Sequence, residues 1–126
     1  MKPIDQTIFG FPDGNCLAAS IASITGIDLD ALSTELRVEW TTETNWLAGM
    51  IHVLQSRGFS VVHFDNIDAP PDGYAVVFGP ASRGFAHACV TLNGAVVHDP
   101  HPSRDGLISV TGYLVITPIE RMEMVS

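Results

Sequence analysis

The chain has 126 residues, a formal net charge of −8, and an apolar fraction of 46% against 16% charged residues. Six Lys and Arg are too few and too scattered to track a phosphate backbone, which excludes nucleic-acid binding and adhesion to an anionic membrane surface. So apolar a composition also excludes disorder and fills one core without metals, and two cysteines are too few for a disulfide scaffold.

Residues 1–14 read as irregular, with a turn signal at Pro12-Asp13-Gly14. Residues 15–25 read as a helix: Leu17, Ile21 and Ile24 share a face, small residues fill the rest, and Gly26 is a natural C-cap. Asp28 caps a second, short helix whose apolar stripe is Leu29, Leu32 and Leu36. A third helix is expected over 41–57, with Trp46, Leu47, Met50, Val53 and Leu54 at helical spacing and Gly58 ending it. Trp46 is expected in the core. Asp28, Asp30, Glu35, Glu39 and Glu43 read as caps and a solvated face, and His52 and His63 as surface residues.

After Gly58 the period changes to that of strands. These are expected over 59–64, 74–79, 85–92, 95–99 and 113–116, with loops over 66–73 and 100–106. Asn93-Gly94 is a strong hairpin turn between the third and fourth strands. Met122 and Met124 read as packing at a sheet edge. Helices first and strands after predict one α+β domain over 1–126, with helices on an antiparallel sheet of about five strands.

Cys16 opens the first helix, where exposed backbone N–H groups and a partial positive charge favour a thiolate, the nucleophilic form. His87 lies near the start of the third strand, where alternation groups it with Cys89 and Thr91 on one face. If Asn93 and Gly94 are the two turn residues, Leu92 faces Ala95. Counting on from there sets Asp99 opposite Ala88, beside His87. Cysteine, histidine and carboxylate in that order supply a nucleophile, its base and a group to orient the base. The Gln6 side-chain amide is the candidate oxyanion donor, together with the Cys16 N–H.

Gln6, Gly14-Asn15-Cys16 opening a helix, His87-Ala88-Cys89-Val90 on a strand and His98-Asp99-Pro100 ending the next resemble the papain-like cysteine peptidase superfamily. The nearest likeness is to its small bacterial and phage members, akin to the bacteriocin-processing double-glycine peptidases. The resemblance covers most of the chain. It implies a papain-like α+β fold with the catalytic helix at the N-terminus, Cys16 as nucleophile, His87 as general base and acid, Asp99 as orienter and Gln6 as oxyanion donor. The gap from Gln6 to Cys16 is longer than in papain, and the chain is much shorter. The cleft is then minimal or completed by a protein partner.

The reaction so implied is hydrolysis of an amide or isopeptide bond in a peptide or protein, with no metal or organic cofactor. A deamidase or transglutaminase-like acyl transferase would use the same triad, and a non-catalytic papain-fold module would bind a peptide or partner protein. Zinc is a rival use of His87, Cys89, His98, Asp99 and His101. However, His98 and Asp99 point to opposite faces, and neither a Cys-x-x-Cys nor a His-Glu-x-x-His motif is present. A Cys16–Cys89 disulfide is another rival. Residues 1–6 lack a signal-peptide core and no apolar run nears ~18 residues, so a bacterial or phage-infected host cytoplasm is expected, where thiols stay reduced.

Overall fold

The structure, a computed structural model, describes residues 1–9, 14–42, 45–65, 68–82, 84 and 86–119, with backbone alone for 40–42. The readings of Pro12, Asp13, Glu43, Met122 and Met124, the loop start at 66–67 and the strand start at 85 lie outside the described residues. Among the described residues three helices precede five strands: α1 (Cys16–Thr25), α2 (Leu29–Thr42), α3 (Trp46–Ser56), β1 (Phe59–Phe64), β2 (Tyr74–Pro80), β3 (Ala86–Leu92), β4 (Ala95–His98) and β5 (Gly112–Pro118). The expected α+β order therefore holds.

Small side chains decide how α1 packs. Ala18, Ala19 and Ala22 are buried with Ile21, which lets the helix lie close against β3. Gly26 ends it in the left-handed conformation (φ 79°), with its N–H donated to the Ala22 carbonyl. Asp28 caps α2 as expected, its carboxylate accepting the Ala31 N–H at 3.1 Å. α2 is longer than its apolar stripe and takes in residues 41 and 42, where the sequence pattern predicts the start of the third helix. That helix begins instead at Asn45, whose Oδ1 accepts from the N–H groups of Leu47 and Ala48. Trp46, the first residue after that cap, is 41% exposed and not in the core, and its ring meets the Phe78 ring edge-on at 5.5 Å. Glu35 pairs with Arg57, and Glu39 with His52 at 2.6 Å, tying α2 to α3 from outside.

The sheet is antiparallel with strand order β1-β5-β2-β3-β4. One face carries the helices. Val76, Ala88, Leu114 and Ile116 join Ala18, Ile21, Leu32, Leu36, Met50 and Leu54 in the main core. The other face buries a smaller cluster of Ala75, Val77, Cys89 and Tyr113 under Leu107 and Val110. No helix among the described residues is long and apolar enough to cross a membrane.

Two departures from simple strand geometry bear on the site. Asn93 (φ 51°) and Gly94 (φ 87°) both have positive φ, as a two-residue hairpin turn needs. Leu92 faces Ala95 and Thr91 faces Val96 as expected, but the register then slips and Val90 faces His98. A β-bulge at Val97 adds one residue to β4. The expected pairing of Asp99 with Ala88 is therefore corrected: continuing the shifted ladder sets Asp99 level with Cys89, on the face of His87. The second departure is Gly79 on β2, where a Cβ would lie 2.2 Å from the Ser109 carbonyl oxygen. Gly79→Ala must displace backbone and is expected to cost at least ~1–3 kcal/mol, read as a lowered midpoint in urea unfolding.

Candidate active site

The base and its orienter meet directly. His87 Nε2 lies 2.6 Å from Asp99 Oδ1, and both side chains are 3% exposed. Asp99 is held by more than the imidazole. Its Oδ1 also accepts the His101 N–H at 2.9 Å, and its Oδ2 accepts the Gly106 N–H at 2.7 Å. Gly106 has φ 72°, a backbone shape that glycine adopts freely. Burial pushes the Asp99 carboxyl up; the hydrogen bonds from His87, His101 and Gly106 outweigh it and leave the group below its ordinary value. Asp99 is thus an anion that can only accept, so the hydrogen of the short contact sits on His87 Nε2. The lone pair of the neutral ring is then on Nδ1.

The thiol half is built on the opening of α1. Cys16 is its first residue and is partly exposed. Asn15 before it is buried, and its side chain does not cap the helix. Its Oδ1 turns back to accept the N–H groups of Thr7 and Ile8, and its Nδ2 donates to Thr7 Oγ1. The Ile8 carbonyl accepts both the Asn15 N–H and the Gln6 side-chain Nε2, each at 3.0 Å. Gln6 is therefore brought beside the peptide that leads into Cys16. Its amide nitrogen has a second hydrogen to offer, and its buried Oε1 has no hydrogen-bond partner among the described residues.

The leading segment also joins the two halves. The Gln6 N–H donates to the Pro100 carbonyl at 3.1 Å, next to Asp99. His98 Nε2 donates to the Ile4 carbonyl at 2.8 Å. The Phe9 ring meets the His101 ring edge-on at 5.5 Å, and His101 meets His87 in the same way at 6.2 Å.

Arg104 completes the link, and sequence reasoning missed it. Its guanidinium makes a two-pronged pair with Asp5 at 2.7 and 2.9 Å and donates to the Asp99 carbonyl. The hydrogen bond from Arg104 holds the Asp5 carboxyl below its usual range. Its one sequence signal was a lone cation in a short loop after the candidate acid. Asn15 was missed as well; a polar side chain immediately before a helix reads as a cap, and here it organises the preceding loop instead.

Neither cysteine is in a disulfide, so the disulfide alternative is not what the structure holds. Cys89 lies in the smaller core, and its sulfur is within 4.8 Å of the donor atoms of His87 and Asp99. Comparison with protein-family models, with curated proteins and with solved structures gives no match for this chain.

Proposed function

We propose that this chain is a cysteine hydrolase of papain-like type, in which Cys16 and His87 act together on an amide or isopeptide bond of a peptide or protein. The observation that carries the reading is the buried contact of His87 Nε2 with Asp99 Oδ1, which leaves Nδ1 as the ring nitrogen available to a thiol. The resemblance of the motifs around Cys16, His87 and Asp99 supports it.

Cys16 packs against the helix-side core whereas His87 shares the strand face of Cys89, so the imidazole must reach the sulfur round the start of β3. In the proposed reaction His87 Nδ1 then takes the Cys16 thiol proton as the sulfur bonds to the acyl carbon. The carbonyl electron pair moves onto oxygen. The Cys16 N–H and the second hydrogen of Gln6 Nε2 face that oxyanion. The tetrahedral centre collapses and the C–N bond breaks. The leaving nitrogen takes the proton from Nδ1, leaving a thioester. Water, deprotonated by the same Nδ1, then attacks and releases the acid and the thiol. Asp99 fixes the ring tautomer throughout and stabilises the imidazolium while it lasts. A reducing compartment suits thiols outside any disulfide, and a partner chain would extend so small a cleft.

Iodoacetamide at neutral pH tests the pairing. Cys16 is expected to alkylate faster in the folded protein than in the urea-unfolded chain, and His87→Ala is expected to remove that advantage. Mass spectrometry locates the adduct, and buried Cys89 serves as the internal comparison. A Cys16 no faster than in the unfolded chain would contradict the reading.

A further inference from the structure

Three side chains of the kind that bind soft cations converge on the sheet face away from the helices. His87 and Cys89 lie two apart on β3, so alternation sends both to one side. The bulge turns Asp99 to that side from the neighbouring strand. Their donor atoms all lie within 4.8 Å of one another, and all three residues are buried.

We propose that His87, Cys89 and Asp99 form a binding site for a zinc-class divalent cation, and that the bound cation silences the base of the neighbouring hydrolase site. The binding stands on the cluster alone; the silencing rests on the function proposed above.

The chemistry fits in three respects. Thiolate, imidazole and carboxylate are the donor types zinc selects, and three protein ligands leave the fourth tetrahedral position to water. A divalent cation balances one thiolate and one carboxylate, so the occupied site would be neutral, as so buried a place requires. The N–H groups of His101 and Gly106 already orient the carboxylate, leaving a further lone pair on Oδ2 and, once the His87 bond is broken, one on Oδ1.

Proton balance gives the regulatory consequence. As the metal–sulfur bond forms, the Cys89 thiol releases its proton to solvent. The His87–Asp99 hydrogen bond breaks, Nε2 gives up its hydrogen and Nδ1 takes one up. The ring stays neutral, Nε2 binds the ion, and a single proton leaves per ion bound. Nδ1, now protonated, has no lone pair for the Cys16 proton.

Cobalt(II) tests the site, because thiolate ligation adds a charge-transfer band. The chain has two cysteines, so in Cys16→Ala such a band can come from Cys89 alone. Saturable binding of a single cobalt per chain with that band, and release of a single proton, is expected in this variant. Absence of saturable binding, or binding without the band, overturns the proposal. Cys89→Ser is expected to weaken zinc binding by more than the ~10–100-fold that outer-shell partners contribute, and to leave turnover running at zinc concentrations that stop the unsubstituted chain. Equal zinc inhibition in Cys89→Ser would assign the effect to Cys16 and overturn the silencing. Binding is read in Cys16→Ala, so its outcome is independent of whether the chain hydrolyses anything.

Discussion

Cys16→Ala is expected to abolish acyl hydrolysis while the protein stays folded. Loss of a nucleophile that works as a unit with its base costs on the order of 10⁶ in kcat. The structural cost should be small. Cys16 is partly exposed at the first position of α1, and alanine is the best helix former. A change within about 0.5 kcal/mol is the usual result for such a position. Hydrolysis of an activated ester and a urea melt, run on the same sample, separate the two effects. A variant that turns over at the original rate ends the nucleophile assignment. One that loses activity only because it unfolds ends the claim that this position is free of structural duty.

Asp99→Asn is expected to damage both stability and turnover. The carboxylate accepts from His87, His101 and Gly106, whereas an amide must aim an N–H₂ group at one of those donors. Breaking a buried pair of this kind costs ~3–5 kcal/mol, a large part of the ~5–15 kcal/mol that holds a domain together. With the tautomer no longer fixed, kcat is expected to fall by ~10²–10⁴-fold. The pH dependence has a definite sign. The folded carboxyl lies below its ordinary value, near ~3.9 in an unfolded chain, so its stabilisation is complete above that pH. It is lost as pH falls through the folded value. The stability gap between the unsubstituted chain and Asp99→Asn should be widest near neutrality and close on acidification, measured by urea unfolding across that range. A gap that stays constant into strong acid would mean that the stabilisation does not come from ionised Asp99.

The periodic parts of the fold were legible because burial imposes them. Leu32, Leu36, Met50 and Leu54 sit in the main core where helical spacing puts them, and the positive φ angles of Asn93 and Gly94 suit the turn that their types announce. The proximity of His87 and Asp99 was also legible, but through the wrong register. An ideal ladder would have turned the acid toward the helices, and the extra residue in β4 reverses that. Nothing in Val96-Val97 marks a bulge, since β-branched residues suit either a regular or a bulged strand. That Cys89 shares the face of His87 was legible from alternation, but the turn of Asp99 toward Cys89 was hidden for the same reason. Arg104 was hidden for another: its partners Asp5 and Asp99 come from distant parts of the chain, and local propensity carries no information about such contacts. Trp46 obeyed the helical period yet stayed outside, because it follows the cap at an exposed end of α3.

The strap formed by the first nine residues has a consequence for synthesis. Beside its early anchors Asn15 and Ser23, it is held by His98, Pro100 and, through Asp5, Arg104, more than ninety residues further along the chain. A ribosome delivers the sulfur early and these distant anchors late. Until residues 87–104 follow, the emerging polypeptide carries Cys16 with neither its imidazole nor the fully fastened strap. If Cys16 acts with His87 as proposed, its reactivity would arise only after residues 87–104 have been made, sparing neighbouring nascent proteins until then.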